Sequence, residues 1–178
     1  MPRLFTGLEI PAQTGLMLSM LRGGLRGARW IDPENYHITL RFIGDIDDRT
    51  ADEVANALDK IRRSPIEIRL KGLGQFSNGK PHAVWARVEP SRDLNDLQAE
   101  QERLFQRLQL APERRKYTPH VTLARCRTST NDDVAKWLAE RGDFQAPSFI
   151  AGRFVLFSAK ASVGGGPYLV EEAYPLAA

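Results

Sequence analysis

Two of the three histidines in this chain open the same four-residue pattern, His37-Ile38-Thr39-Leu40 and His120-Val121-Thr122-Leu123. Since residues i and i+2 of a strand point to the same face, each pattern presents an imidazole beside a hydroxyl, with its aliphatic residues turned to the core. The chain holds only 8 threonines, so such a pairing rarely arises by chance at two of three histidines. The third histidine, His82, has no such partner and is assigned no role.

Two imidazoles on opposite sides of one ligand are suited to acid and base catalysis. With an ordinary pKa of about 6.5, a neutral ring can accept a proton while a charged ring donates one. At a phosphorus atom such a pair serves in-line displacement, and the hydroxyls of Thr39 and Thr122 would hold the non-bridging oxygens. The alternative is a metal site with His37 and His120 as ligands, although neither motif contains a carboxylate to complete it.

Further candidates for ligand contact flank the two motifs. Strict alternation places Arg41 on the face of the first imidazole, where it can reach a phosphate, with a solvated arginine at the strand edge as the alternative. The same alternation places Arg125 on the core face, so its use requires the strand to end or bulge there. Phe42 and Tyr117 are candidates for stacking on a nucleic-acid base, with burial of Phe42 in the core as the alternative. The basic loop over 114–116 either guides an RNA backbone or is a plain solvated loop.

The elements that must position these residues are indicated by hydrophobic periodicity and by glycine and proline punctuation. They mix strands and helices without a regular βαβ repeat or a glycine-rich phosphate motif, which predicts an α+β protein with antiparallel sheets. The second motif comes after the first at nearly half the chain length, which predicts two similar lobes around one cleft within a single domain over 1–178. The predicted strands cover 3–10, 30–31, 36–44, 66–73, 82–89, 120–125, 149–159 and 168–174, and the helices 11–23, 47–63, 94–108 and 130–141.

Composition excludes several classes of protein. The chain has 178 residues, 42% hydrophobic and 26% charged, which is ordinary globular usage rather than a disordered one. A net charge of +3 is too small for a protein that coats nucleic acid. Arginine outnumbers lysine 19 to 6, which either favours a phosphorylated ligand or reflects the codon bias of a GC-rich genome. The single cysteine, Cys126, excludes an internal disulfide. No apolar stretch is long enough to span a bilayer and the first ten residues lack a signal-peptide core, so we expect a cytoplasmic protein. Nothing resembles an oligomerisation helix, so we expect a monomer without an obligate protein partner.

The paired motifs resemble those of the 2H phosphoesterase superfamily. Within it, the surrounding sequence resembles the bacterial and archaeal RNA 2',3'-cyclic phosphodiesterases, also called 2'-5' RNA ligases. The resemblance runs nearly end to end, through the blocks Arg3-Leu4-Phe5, Arg29-Trp30 to Asn35, Arg41-Phe42-Ile43-Gly44, Leu73-Gly74-Gln75-Phe76, Val84-Trp85, Thr118-Pro119, Leu123-Ala124-Arg125, Phe154-Val155-Leu156-Phe157-Ser158 and Gly166-Pro167-Tyr168.

This resemblance implies a bilobal α+β fold, with two antiparallel sheets and outer helices around a central cleft. It implies hydrolysis of RNA 2',3'-cyclic phosphate ends to 2'-phosphomonoesters without a metal or other cofactor, and a reversible joining of RNA ends, notably tRNA halves, through a 2'-5' linkage. It also implies that His37 is the proton donor and His120 the proton acceptor.

Other functions fit the same residues. One alternative is a 2H phosphodiesterase that acts on small cyclic nucleotides or on 2'-5' oligonucleotides. Another is a non-catalytic module that binds RNA or nucleotides, although binding alone does not require two proton-transfer groups. A metal-dependent phosphodiesterase is the third.

Overall fold

One antiparallel sheet of eight strands runs through the protein, in a computed structural model that describes residues 3–159 and 166–177. The strands are β1 (Arg3–Glu9), β2 (Ala28–Trp30), β3 (His37–Asp45), β4 (Ile66–Ile68), β5 (Leu70–Asn78), β6 (Lys80–Val88), β7 (His120–Cys126), β8 (Phe149–Ala151), β9 (Arg153–Ser158) and β10 (Leu169–Pro175). The helices are α1 (Ala12–Ser19), α2 (Asp48–Leu58), α3 (Arg92–Arg107) and α4 (Asn131–Glu140), and a single 3-10 turn covers Pro33–Asn35.

The order of the strands in this sheet is nearly symmetric about its central pair, β3 and β7. It reads β10-β9-β1-β3-β7-β6-β5, with β2 also paired to β7. The chain divides into two halves whose elements correspond one by one. The first half is β1-α1-β3-α2-β4-β5, and the second is β6-α3-β7-α4-β8-β9. The last strand of each half therefore pairs with the first strand of the other half: β5 pairs with β6, and β9 pairs with β1.

The predicted α+β class with antiparallel sheets is confirmed. The strands of the two halves join at β3 and β7, through the antiparallel pair Ile38 and Val121. Away from this sheet, β4 and β8 form a second, two-stranded sheet, so that the two halves meet there as well.

Helix boundaries are set by side-chain caps and by the apolar face that each helix buries. Ser91 begins α3 by accepting the Leu94 amide at 3.2 Å, and Thr130 begins α4 in a reciprocal capping box with Asp133. The buried face of α4 includes Trp137, whose indole donates to the Gly23 carbonyl at 3.1 Å. No helix within the described residues is long and apolar enough to cross a membrane.

Several predicted elements differ from the structure, among them the helix over 11–23, which ends as α1 at Ser19. The predicted strands over 66–73 and 149–159 are each broken in two, because their first residues leave the main sheet to pair as β4 and β8. The predicted helix over 47–63 ends as α2 at Leu58. The turn-rich stretch over 77–81 is the tip of the β5–β6 hairpin, with Gly79 at a φ of +77° that favours glycine.

Candidate active site

The two histidine motifs lie side by side at the centre of the sheet. Because Ile38 pairs with Val121, the antiparallel register places His37 beside Thr122 and Thr39 beside His120. These four side chains alternate with the buried aliphatic residues and therefore share the opposite face. The two histidines are diagonal neighbours, at roughly 7–8 Å by strand geometry. All four side chains line one cavity of about 370 Å³.

Each imidazole is oriented by a backbone carbonyl two residues earlier in the chain. Nδ1 of His37 lies 2.9 Å from the carbonyl oxygen of Asn35, and Nδ1 of His120 lies 2.7 Å from that of Thr118. Since a carbonyl only accepts, Nδ1 carries the hydrogen in both rings. This leaves Nε2 as the proton-transfer atom, and in His37 it lies 3.0 Å from Oγ1 of Thr39.

Aromatic rings surround both histidines. Phe5 and Tyr168 lie 4.9 Å from the ring of His37, and Phe76 lies 4.8 Å from that of His120. This burial is the main reason why the pKa of His37 is lowered to about 4, against the opposing hydrogen bond to its carbonyl partner. The positive charges of His120 and Arg125 lower it further.

The second histidine is affected in the same direction. Burial is again the first cause that lowers the pKa of His120, and the charge of Arg125 adds to it. The hydrogen bond to Thr118 opposes both. Neither ring is therefore charged at neutral pH in the ligand-free site.

A further aromatic ring, that of Trp85, packs near His120 because Gly74 has no side chain. Gly74 pairs with Trp85 across β5 and β6, and a Cβ on Gly74 would lie 2.7 Å from two carbons of the Trp85 ring. With no side chain at Gly74, the indole packs 5.5 Å from the ring of His120.

A β-bulge lies at the last residue of each motif and changes which of the following side chains face the cavity. Leu40 has no partner in β1, because Thr6 pairs with Arg41 and Gly7 with Thr39. At the equivalent place in β7, Leu123 has no partner in β6. Each extra residue reverses the alternation of the strand beyond it.

The prediction that Arg41 lies on the cleft face with His37 is wrong, because the bulge turns it inward. Its side chain is 6% exposed, pairs with Glu102 on α3, and donates to the carbonyl of Ala111 at 2.5 Å. The Arg41 amide donates to the Thr6 hydroxyl at 3.1 Å, which holds the bulge in place.

The two β-bulges also place two other candidates, Arg125 and Phe42, at the cavity. Beyond its bulge, Arg125 is exposed and lines the cavity with both histidines, as its predicted use required. Phe42 occupies the equivalent place in β3 and is 50% exposed, so the alternative of its burial in the core is wrong. A bulge leaves no signature in the hydrophobic pattern, which explains why alternation misplaced these residues.

Tyr117 is held by its hydroxyl rather than presented to the cavity of the two histidines. It donates to the carbonyl of Thr39 at 2.9 Å and thereby ties the segment before β7 to β3. Burial raises the pKa of this phenol. Sequence reasoning did not assign a role to Phe76, which is 37% exposed and lines the same cavity as Phe42. Its place in a strand pattern carries no sign of this role.

The described residues offer this cavity imidazole and hydroxyl groups rather than a metal-ligand set. In residues 3–159 and 166–177, no three His, Cys, Asp or Glu side chains come together in a group able to hold a metal ion. The site can thus supply two proton transfers, two hydroxyls and one guanidinium to a phosphoryl group.

Comparison with known proteins agrees with this chemistry. The sequence pattern of the LigT-like phosphoesterase family matches residues 8–85 and 87–168. A protein of Aeropyrum pernix named RNA 2',3'-cyclic phosphodiesterase is 37% identical over 66% of this chain and 69% of its own length. A protein of the same name from Aquifex aeolicus is 31% identical over 83% of this chain and 81% of its own.

Solved structures share the fold. A protein of Thermus thermophilus superposes with a TM-score of 0.81 at 21% identity, covering 98% of this chain and 97% of its own. Escherichia coli LigT complexed with 3'-AMP superposes with a TM-score of 0.79 at 20% identity, covering 99% of each chain.

Proposed function

The chain belongs to the LigT-like phosphoesterase family, and we propose that it hydrolyses terminal 2',3'-cyclic phosphates of RNA to 2'-phosphomonoesters. The observation that carries this proposal is the diagonal pair of imidazoles, His37 and His120, each held at Nδ1 with Nε2 left for proton transfer. Relatives that carry the name RNA 2',3'-cyclic phosphodiesterase support the choice of substrate.

We assign the roles of the two histidines as the family resemblance implies. His120 removes a proton from water, whose oxygen attacks phosphorus, and His37 protonates the departing 3' oxygen. One P–O bond forms and one breaks, so the product carries a 2'-phosphate and a free 3'-hydroxyl. Thr39, Thr122 and Arg125 hold the non-bridging oxygens as charge builds on them. With a 5'-hydroxyl in place of water, the same roles form a 5'O–P bond, break the P–O3' bond and give a 2'-5' linkage. In the reverse direction the 3'-hydroxyl attacks the 2'-5' phosphodiester, the 5' oxygen leaves, and the two histidines exchange roles.

Location and partners belong to the same proposal. A chain with a single cysteine is suited to a reducing compartment, and we place the activity in the cytoplasm. The substrate is RNA with cyclic phosphate ends, tRNA halves among them. The active site is built from one chain, which supports a monomer without an obligate protein partner.

The test is incubation with an oligoribonucleotide that ends in a 2',3'-cyclic phosphate, in excess EDTA. We expect a 2'-phosphomonoester at an undiminished rate, because two imidazoles supply both proton transfers. His37→Ala and His120→Ala should each lower kcat by about 10²–10⁴-fold.

Urea denaturation of both variants serves as the control for folding. Near-normal rates in both variants, or binding of the oligonucleotide without any product, would contradict the proposal. The second outcome would identify a binding module instead.

A further inference from the structure

A second cavity opens directly from the cavity of the two histidines. It measures about 530 Å³, within the range of roughly 300–1,000 Å³ typical of small-molecule sites. The two cavities share Thr39, His120 and Arg125, together with both exposed aromatic rings of the cleft. A ligand bound at the histidines can therefore extend into the second cavity without leaving the protein surface.

The charges along this second cavity suit an anion. Arg115 and Lys116 line it beside Arg125. The acidic side chain in its wall is Glu113, which accepts from the Arg115 amide at 3.0 Å and from Nε of the same residue at 3.3 Å. Because Glu113 is paired with Arg115, the positive charges of Lys116 and Arg125 remain in excess of the carboxylate.

Two aromatic rings mark the junction between the cavities. Phe42 projects from β3 and Phe76 from β5, and both side chains line both cavities. The two rings are 50% and 37% exposed, so each can contact a base by stacking. A nucleoside attached to the reacting phosphate meets these rings on its way into the second cavity.

We propose that the second cavity is the subsite for the nucleotide that precedes the cyclic phosphate, with Lys116 and Arg115 bound to the phosphodiester between the last two nucleotides. The inference rests on the proposed function. A strand that ends in a cyclic phosphate continues only on its 5' side, so one covalent extension of the substrate must leave the catalytic cavity. The protein should therefore turn over an oligonucleotide end more efficiently than a cyclic mononucleotide.

A competing exit lies at the other end of the cleft. A cavity of about 420 Å³ there is lined by Arg29 and by two carboxylates, Asp32 and Glu34. It shares only Ile31 and Asn35 with the catalytic cavity. Its acidic lining disfavours a phosphodiester, so we assign the strand to the basic cavity.

The test compares two substrates, adenosine 2',3'-cyclic phosphate and the dinucleotide ApA with the same cyclic end. Lys116→Ala should lower kcat/KM for the dinucleotide about tenfold and leave the mononucleotide unaffected, because Lys116 lines only the second cavity. Arg114→Ala is the matched control, since Arg114 belongs to the same loop but lines neither cavity.

Equal losses on both substrates, or no loss on either, would overturn the subsite. So would loss of the dinucleotide preference in Arg29→Ala instead of Lys116→Ala. If the unmodified protein turns over neither substrate, the proposed function fails. The subsite is then judged by calorimetric affinity for the dinucleotide against the mononucleotide, and equal affinities would overturn it.

Discussion

His37 and His120 occupy equivalent places in the two halves, yet the residues beyond the two motifs differ. Past the bulge the first strand presents the ring of Phe42, and the second presents the guanidinium of Arg125. At this place the first strand offers the cleft an aromatic ring and the second a positive charge. A nucleotide has the same asymmetry, with a base at one end and a phosphate at the other.

The lowered pKa values of both histidines predict an acidic optimum for kcat/KM. Catalysis needs one ring charged and one neutral, a state that is most populated between the two pKa values of the free enzyme. The pKa of His37 is lowered to about 4 and that of His120 lies below its ordinary 6.5, so we expect the maximum between pH 4 and 6.5. Initial rates on a cyclic mononucleotide from pH 4 to 9 provide the measurement, and a maximum above pH 7.5 would contradict it.

Arg125→Met is the companion variant for this profile. The positive charge of Arg125 lowers the pKa of both rings, so its removal should move the profile to higher pH. The same change should lower kcat by about 10²-fold, because a donor to the phosphate oxygens is lost. A lower rate with an unmoved profile would show that Arg125 does not act on the imidazoles.

The chemistry of the site was accessible from the sequence because strand alternation alone places an imidazole beside a hydroxyl. That rule holds at His37 and Thr39 and fails two residues later, at Arg41. The reason is the extra residue, Leu40, whose effect depends on its pairing with β1. Pairing between distant strands is a tertiary property, so Arg41 could not be placed correctly from its own neighbours.

Among the elements, α3 has a part in the site although it contributes no residue to the catalytic cavity. Glu102 on this helix pairs with Arg41 at the bulge and accepts the Glu113 amide at 3.1 Å. It therefore joins the strand of the first motif to the loop that leads to the second. The apolar periodicity that predicts α3 does not indicate that its Glu102 contacts Arg41 and Glu113.

Glu102→Gln should destabilise the protein by about 3 kcal/mol. The change leaves the guanidinium of Arg41 buried without its carboxylate, which is far costlier than the loss of an exposed pair. Urea denaturation measures the free energy of unfolding. Asp96→Asn on the same helix is the control, since its pair with Arg92 is exposed and should contribute less than about 0.5 kcal/mol. Similar small losses in both variants would refute a structural role for the buried pair.

At the scale of the molecule, the excess of arginine is largely explained by ion pairs. Within residues 3–159 and 166–177, ten of the 19 arginines lie within 4 Å of a carboxylate oxygen. The arginine bias thus reports mainly on internal pairing, and only part of it on a phosphorylated ligand. The net charge of +3 is correspondingly modest for a protein that binds RNA.

This charge distribution predicts a shallow dependence of RNA binding on salt. Each phosphate contact with a single strand contributes a slope of about −0.7 to the plot of log affinity against log salt. With contacts from Arg115, Lys116 and Arg125, we expect a slope of about −2 for an oligoribonucleotide. Fluorescence titration between 50 and 300 mM KCl, roughly a sixfold range, measures it. Lys116→Ala should bring the slope about 0.7 closer to zero, and a wild-type slope steeper than about −4 would require a much larger basic surface.

We propose that residues 1–178 form a single domain of two pseudo-symmetric lobes. The strand order, nearly symmetric about β3 and β7, supports this proposal. The repeated motif indicated such a pairing, but not that β5 and β9 would be exchanged between the halves. Exchange depends on which strand edges remain free after each half has folded. Nothing in either strand sequence specifies it.

The exchange of outer strands means that neither half is self-sufficient. A cut at Gly79, in the tip of the β5–β6 hairpin, would leave two fragments that each present an open sheet edge. Such fragments should regain structure only when mixed. A shorter ancestor with one motif could have built the same catalytic pair only as an intertwined homodimer, with one histidine donated by each copy.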